Sequence, residues 1–233
     1  MIDAHFRNLR RRDTISADEE AAIRAALSDP RDIPADRTVI RAGEALSAST
    51  LLLDGLMCRY KDLRDGQRQI SALHVPGDFV DLHSFTLKRL DHNVMALTPC
   101  RVAIMPHDRL TAITEQFPHL TRVYWFLTAV DGSIHREWTL SLGRRTALQR
   151  LAALLCELYL RLELAGLAEN NSFPLQLTQA DLAECAGLTP VHVNRTLREL
   201  RARGLIDMSG RRVTIADMPG LRALGITDDA LAL

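Results

Sequence analysis

The segment LTQADLAECAGLTPVHVNRTLRELRAR, residues 177–203, determines the predicted fold of the region around it. It predicts two short helices joined by a tight turn at Gly187, because a residue without a side chain can adopt the left-handed backbone of such a turn. Thr178, followed three residues later by an acidic residue, has the spacing of a capping box at the start of the first helix. Thr189 and Pro190 predict the start of the second helix, because proline is favoured at the first helical position.

The second helix is predicted to run to about Arg203 and to have two different faces. Val193, Leu197 and Leu200 recur at helical spacing and predict the buried face. Across residues 189–212 there are six arginines against two acids, although the whole chain balances 29 basic with 29 acidic residues. Such a local excess of positive charge is typical of a surface that binds a polyanion.

The run LIDMSGRRVTI, residues 205–215, follows the second helix. Its alternation of apolar and polar residues about Ser209-Gly210 predicts a two-stranded hairpin, which would make the region a winged helix. The alternative is a helical hairpin that packs against its own domain and leaves its arginines solvated. The glycine turn, the two helix caps and the following hairpin together favour a helix-turn-helix.

At these residues the chain resembles the DNA-binding domain of the Crp/Fnr family of bacterial transcription regulators, and the resemblance extends over nearly the whole sequence. It implies a homodimer that binds a pseudo-palindromic operator in double-stranded DNA through the helix 189–203 of each subunit. It also implies RNA polymerase as a partner and an N-terminal domain that receives a signal, here an unknown small-molecule effector.

The resemblance implies that the exposed face of the second helix reads base edges. Arg195 matches the recognition-helix arginine of the family, whose guanidinium pairs with guanine. The predicted base-reading residues are Arg195, Pro190, Val191, His192 and Asn194. The residues predicted to contact DNA phosphates are Thr178, Gln179, Arg198, Arg211 and Arg212. Val191 and Asn194 depart from the family pattern, so the operator sequence of relatives cannot be transferred to this chain.

The rest of the chain predicts an α+β protein with three parts. Short β-rich runs between turn signals from about residue 37 to 106 predict an antiparallel β-roll of the jelly-roll type. Residues 1–117 are therefore assigned to a sensor β-roll with a preceding helix, 118–143 to a dimerisation helix and hinge, and 144–233 to the winged helix-turn-helix domain. The first twelve residues are basic and irregular, and predict a loose arm.

The stretch LLLDGLMCRYKDLRDGQRQISALHVPGDF, residues 51–79, resembles the cyclic-nucleotide-binding-type effector domain of the same family. In cAMP-binding members a Gly-Glu pair follows the Gly-Asp-Phe turn, and a later Arg-Ser or Arg-Thr pair holds the phosphate. This chain reads Val80-Asp81-Leu82 and Leu90-Asp91 at those places. Leucine cannot accept a ribose hydroxyl and aspartate repels phosphate, so cAMP is not the expected signal. Lys88-Arg89 leaves open a cyclic-nucleotide-responsive regulator with an atypical pocket.

Other cofactors and metals are also not expected. No cysteine precedes Cys58, so the iron–sulfur cluster that another branch of the family holds near its N-terminus does not fit. The four cysteines contain no CxxC pair and the histidines lack ligand spacing, so no metal site is predicted. The alternative is a haem- or redox-dependent gas-sensing regulator, with His74, His83 or Cys58 as axial ligands.

Several other classes of protein have no support in the sequence. No serine-histidine-acid, metal or phosphate-loop signature occurs, so the chain is not expected to be an enzyme. The most apolar stretch, around residues 147–167, is interrupted by charges, and no export signal precedes it. Widely spaced, unpaired cysteines are typical of a reducing compartment, and the predicted localisation is therefore cytoplasmic.

From residue 118 the sequence predicts a long helix with an apolar seam. Residues recur at alternating steps of four and three, which is the spacing of a heptad repeat. The predicted dimer seam consists of Leu120, Tyr124, Leu127, Asp131, Ile134 and Trp138. In the family that the chain resembles, this helix pairs two subunits, whereas an ordinary core helix is the alternative.

Overall fold

A computed structural model describes residues 2–225, which divide into two units. The first unit comprises Met1–Lys61 and Leu73–Gly132, and the second comprises Asp62–Ala72 and Ser133–Leu233. No helix between residues 2 and 225 is long and apolar enough to cross a membrane. The predicted domain boundaries at residues 117 and 143 stay a prediction.

Residues 2–144 form short helices and two sheets and end with one long helix. The elements are α1 (Asp3–Arg10), α2 (Ala17–Ala26), β1 (Arg31–Ile33), β2 (Thr38–Ile40), β3 (Ala48–Asp54), β4 (Met57–Asp62), β5 (Arg68–His74), α3 (Ser84–Leu87), β6 (Asn93–Ala96), β7 (Cys100–Pro106), α4 (His107–Gln116) and α5 (Pro118–Arg144). The strand orders are β1-β7-β3 and β2-β6-β4-β5. Strand β7 is antiparallel to β1 and β3, and β6 is antiparallel to β2 and β4. The predicted α+β class is confirmed.

Strand β3 shows how the core of the first unit is divided. Successive side chains of a strand point to opposite faces of its sheet. Leu51 and Leu53 pack into a cluster that includes residues of α4 and α5. Leu52 instead joins a second cluster with Val80 and Leu90. The first unit therefore has an apolar layer on each face of the sheet that contains β3.

The N-terminal residues form a helix, so the prediction of a loose arm is wrong. Phe6 and Leu9 of α1 are buried in the core of the first unit. The imidazole Nδ1 of His5 donates a hydrogen bond to the main-chain oxygen of Gly77, 2.9 Å away. Burial lowers the pKa of His5 to about 4, so this side chain is neutral near pH 7. The many basic residues of the segment make its apolar face difficult to recognise in the sequence.

The apolar seam predicted on α5 packs largely inside the protein's own chain. Leu120 and Tyr124 are buried in the core of the first unit, and Leu127 packs against the same cluster. Asp131 accepts a hydrogen bond from Arg59 at 2.6 Å.

Further along the helix, Trp138 Nε1 donates to Glu157 Oε2 at 2.7 Å, and Ile134 is half-buried. Leu120, Tyr124, Asp131 and Trp138 thus have contacts within the chain, and the prediction that they form a dimer seam stays a prediction. Heptad spacing marks the buried side of a helix, but it does not identify the partner that buries it.

A different side of α5 is exposed. Its exposed residues recur at helical spacing and are called the outer stripe: Arg122, Trp125, Ala129, Arg136 and Leu140. Trp125 is 74% exposed. A large exposed aromatic residue on a regular helical face is typical of a surface that contacts another molecule.

The second unit contains the remaining described elements. They are α6 (Ala147–Leu164), β8 (Ser172–Pro174), α7 (Gln179–Ala186), α8 (Pro190–Ala202), β9 (Ile206–Ser209), β10 (Arg212–Ile215) and α9 (Met218–Gly225). The strands form one sheet in the order β8-β10-β9. Strand β8 pairs with β10, where Phe173 is opposite Val213. Phe173 is fully buried, which explains why this short strand is held in place.

Candidate nucleic-acid interface

Helix α7 begins and ends as its sequence predicts. Thr178 Oγ1 accepts a hydrogen bond from the Asp181 amide at 3.1 Å. Asp181 Oδ2 accepts in return from the Thr178 amide at 2.7 Å. Gly187 ends the helix with φ of +61°. The capping box and the glycine turn are therefore confirmed, and they fix where the next helix starts.

Helix α8 also begins at its predicted cap. Thr189 Oγ1 accepts a hydrogen bond from the His192 amide at 3.2 Å, and Pro190 occupies the first helical position. Val193, Leu197 and Leu200 are buried, as their spacing predicts. Because one side of α8 is anchored in the core of the second unit, the opposite side is held in a defined direction.

The exposed side of α8 carries the predicted base-reading residues in its first two turns. Pro190, Val191 and Arg195 are exposed, whereas His192 and Asn194 are half-buried. Val191 is 81% exposed, which is unusual for an apolar side chain. The contacts of these five residues with bases stay a prediction.

Two arginines on this side of α8 have no charged partner in the described part of the chain. Neither Arg195 nor Arg198 has a hydrogen bond or an ion pair from its guanidinium within residues 2–225. Arg203 differs, because its guanidinium contacts the Glu199 carboxylate at 2.5 Å. Unpaired guanidinium groups are available to bind phosphate or guanine without first breaking an internal ion pair.

The residues predicted to contact phosphates lie at the start of α7, on α8 and in the wing. Thr178 and Gln179 are exposed at the N-terminus of α7, where main-chain amides favour anions. Arg211 is exposed in the turn between β9 and β10. Arg212 is exposed too, and its Nε donates to Ser172 Oγ at 3.2 Å. The turn consists of Gly210 and Arg211, one residue later than predicted, because Ser209 pairs with Arg212.

In the first unit, three of the residues at the family's nucleotide-binding positions, Val80, Asp81 and Leu90, are buried, whereas Asp91 is exposed. Val80 and Leu90 lie in the apolar core. Asp81 is buried, its carboxylate accepts the Thr50 amide at 2.6 Å, and burial raises its pKa to about 7. Asp91 Oδ2 contacts Lys61 Nζ at 2.6 Å. Each of these side chains is therefore already in contact with other residues of the first unit.

The residues considered as haem ligands have different surroundings in the first unit. Cys58 and His74 are buried, and the His83 ring lies 5.4 Å from the His92 ring between centroids. Burial lowers the pKa of His83 to about 4. Within residues 2–225, no group of three histidine, cysteine or acidic side chains could hold a metal ion.

Residues 149–224 match the Crp-like helix-turn-helix domain, and residues 30–117 match the cyclic nucleotide-binding domain. The nitrogen fixation regulation protein FixK of Bradyrhizobium diazoefficiens is 33% identical over 178 residues, which cover 74% of this chain and 72% of that protein.

Two further relatives agree with this match. The transcriptional activator protein FnrL of Cereibacter sphaeroides is 28% identical over 200 residues, covering 84% of this chain and 80% of that protein. The structure of FixK2 from Bradyrhizobium japonicum superposes with a TM-score of 0.77 at 26% identity, covering 85% of this chain and 97% of that chain. The exposed helix of a capped helix-turn-helix, the N-terminal β-roll and these relatives together identify the chain as a member of the Crp/Fnr family of DNA-binding transcription regulators.

Proposed function

We propose that the protein is a homodimer that binds a pseudo-palindromic operator, with α8 of each subunit in the major groove. The observation that carries the proposal is the exposed first half of α8, where Val191 and Arg195 have their side chains free beside a buried face that anchors the helix. A helix held in this way can present its first turns to base edges. Phosphate contacts by Thr178, Gln179 and Arg211 would then set its register.

The outer stripe of α5 is the proposed dimer interface. It combines the exposed Trp125 and Leu140 with the small side chain of Ala129, which lets two helices approach closely. A twofold axis along this stripe would place each residue near its own copy in the partner.

Selection of DNA from a random duplex library tests the function. The expected product is a sequence with two inverted half-sites, their centres separated by about one helical turn of 10–10.5 base pairs. The bound fragments are sequenced after selection at about 0.15 M salt, where non-specific binding is weakened. Enrichment of no sequence, or of a single unrepeated half-site, would contradict the proposal.

FnrL is named as a transcriptional activator. An activator must engage the transcription machinery, so we propose RNA polymerase as a partner and the cytoplasm as the location. An effector that acts on the first unit belongs to the same proposal, and its chemical identity is left open.

We further propose that the effector is neither cAMP nor haem. The support is that Val80 and Leu90 are core residues and that Asp91 is engaged by Lys61. Thermal unfolding with about 100 times a micromolar Kd of cAMP would show about 2.7 kcal/mol of stabilisation if the nucleotide bound. No shift is expected, and the purified protein is expected to lack a Soret band. A cAMP-dependent shift favours the atypical cyclic-nucleotide pocket, and a Soret band favours the haem-dependent sensor.

A further inference from the structure

The carbonyl end of α7 is held by side chains from elsewhere in the second unit. The last carbonyls of a helix have no partner within it and require other donors. Gln69 Nε2 donates to the Glu184 oxygen at 2.7 Å and lies 3.5 Å from the Cys185 oxygen. Arg150 Nη1 donates to the Ala186 oxygen at 2.9 Å. Side chains far away in the sequence therefore bind the carbonyls of Glu184 and Ala186, just before the helix-turn-helix turn.

Arg150 joins this helix end to the end of α5. Its Nε donates to the Arg145 oxygen at 3.0 Å and its Nη2 donates to the Leu142 oxygen at 2.9 Å. One planar guanidinium thus binds three main-chain oxygens, two near the end of α5 and one at the end of α7. The fixed fork of an arginine suits this arrangement, whereas a lysine has a single nitrogen and cannot reach all three oxygens.

The turn between α7 and α8 lies directly against both side chains. A Cβ added to Gly187 would lie 3.3 Å from Leu142 Cδ2, 3.6 Å from Arg150 Nη1 and 3.6 Å from Gln69 Oε1. Helix α8 begins only three residues after this glycine. Because so few residues separate the two helices, a change in the direction of α7 at its C-terminal end would also change the direction of α8.

The C-terminal half of α5 is itself tied to α6. Glu157 of α6 accepts hydrogen bonds from Trp138 Nε1 and from Arg161 Nη1, each at 2.7 Å. Glu157 is buried, so both of its oxygens are satisfied within the protein. The α5–α6 corner is consequently a fixed support. Arg150 attaches the end of α7 to that support, and Gln69 attaches it to strand β5.

We propose that Arg150 and Gln69 are positioning residues for DNA reading. Arg150 fixes the direction of α8 relative to the C-terminal half of α5, and Gln69 fixes it relative to strand β5. The inference rests on the proposed function, because two copies of α8 must meet successive major grooves at a set separation. A shared direction of α8 in both subunits makes binding sensitive to the spacing between half-sites. Neither residue contacts DNA in this proposal.

Two conservative substitutions test the inference. Arg150→Lys keeps the charge but removes the fork, and Gln69→Glu keeps the shape but replaces the amide donor with an acceptor. Each variant is measured against the duplex that the wild-type protein selects and against the same duplex with one base pair inserted between the half-sites. Arg144→Ala is the matched control, because Arg144 is an exposed arginine at the end of α5.

The ratio of the two affinities is the decisive result. Each substitution is expected to weaken binding to the selected duplex by about tenfold, the effect of losing one charge-assisted or buried hydrogen bond. Binding to the altered duplex is expected to change by less than about twofold, so the preference for the correct spacing falls. Partial unfolding would weaken both affinities by the same factor and would leave the ratio unchanged.

The outcomes separate this inference from the proposed function. If the wild-type protein selects no spaced duplex, the proposed function fails. If the wild-type protein prefers the correct spacing, and both variants keep that preference while Arg144→Ala behaves as wild type, Arg150 and Gln69 do not set the direction of α8. A loss of spacing preference in both variants, with the control unchanged, supports the inference.

Discussion

Replacing Arg195 with alanine is expected to weaken binding to the selected operator by about 1–3 kcal/mol per half-site and to relax the preference at one base pair in each half-site. Arg195 is exposed on the first two turns of α8 and has no ion-pair partner within residues 2–225. Its guanidinium can therefore form a bidentate pair with guanine without first breaking an internal contact. Fluorescence anisotropy titrations and a repeated DNA selection measure the two effects.

Arg198→Ala is the matched control on the same helix. Arg198 is also exposed and lies one turn further from the N-terminus of α8. As a predicted phosphate contact, its loss should weaken binding to all sequences alike and reduce the salt dependence by about one counterion per site. If the Arg195 variant weakens binding without changing any base preference, Arg195 contacts phosphate and does not read a base.

The second large effect is expected in the outer stripe of α5. Ala129→Arg should prevent dimerisation, because a long charged side chain would be placed twice in a seam where helices approach closely. Trp125→Ala should raise the dimer dissociation constant by about 30-fold or more, as loss of a buried aromatic anchor does. Sedimentation equilibrium measures the dissociation constant, and binding to the selected operator should fall with dimerisation.

Leu120→Ala provides the contrasting variant. Leu120 is fully buried in the core of the first unit. Its truncation should lower the free energy of unfolding by about 2–5 kcal/mol, and the folded protein should dimerise as the wild type does. If Leu120→Ala disrupts the dimer and substitutions in the outer stripe do not, the inward seam predicted from the sequence is the interface after all.

Sequence alone was sufficient where the deciding contacts are local. The cap of α7 joins Thr178 to Asp181, and the cap of α8 joins Thr189 to the His192 amide, in both cases three residues away. Gly187 then supplies the positive φ that its position requires. Such short-range contacts are encoded by residue type and spacing, so the helix-turn-helix could be predicted with its boundaries.

Sequence was insufficient where a distant residue decides the outcome. Strand β8 exists because β10 pairs with it, and α1 forms because its apolar side meets a core built mainly from residues after 50. Gln69 lies 115 residues from Glu184, the residue whose oxygen it binds. The sequence shows Arg150 only as one of the charges in the apolar stretch around residues 147–167, and not the three main-chain oxygens that it binds. A periodic pattern reports that a face is buried but not which part of the chain buries it.

The third strand of the wing sheet has a consequence for how the tip of the wing meets DNA. An isolated two-stranded hairpin is marginally stable in water, but β10 is paired on both sides, with β8 and with β9. Arg212 also donates a hydrogen bond to Ser172 of β8. The tip that carries Arg211 is therefore preorganised before DNA arrives. The wing tip loses its conformational entropy when the protein folds. A phosphate contact at the tip therefore costs little further conformational entropy when DNA binds.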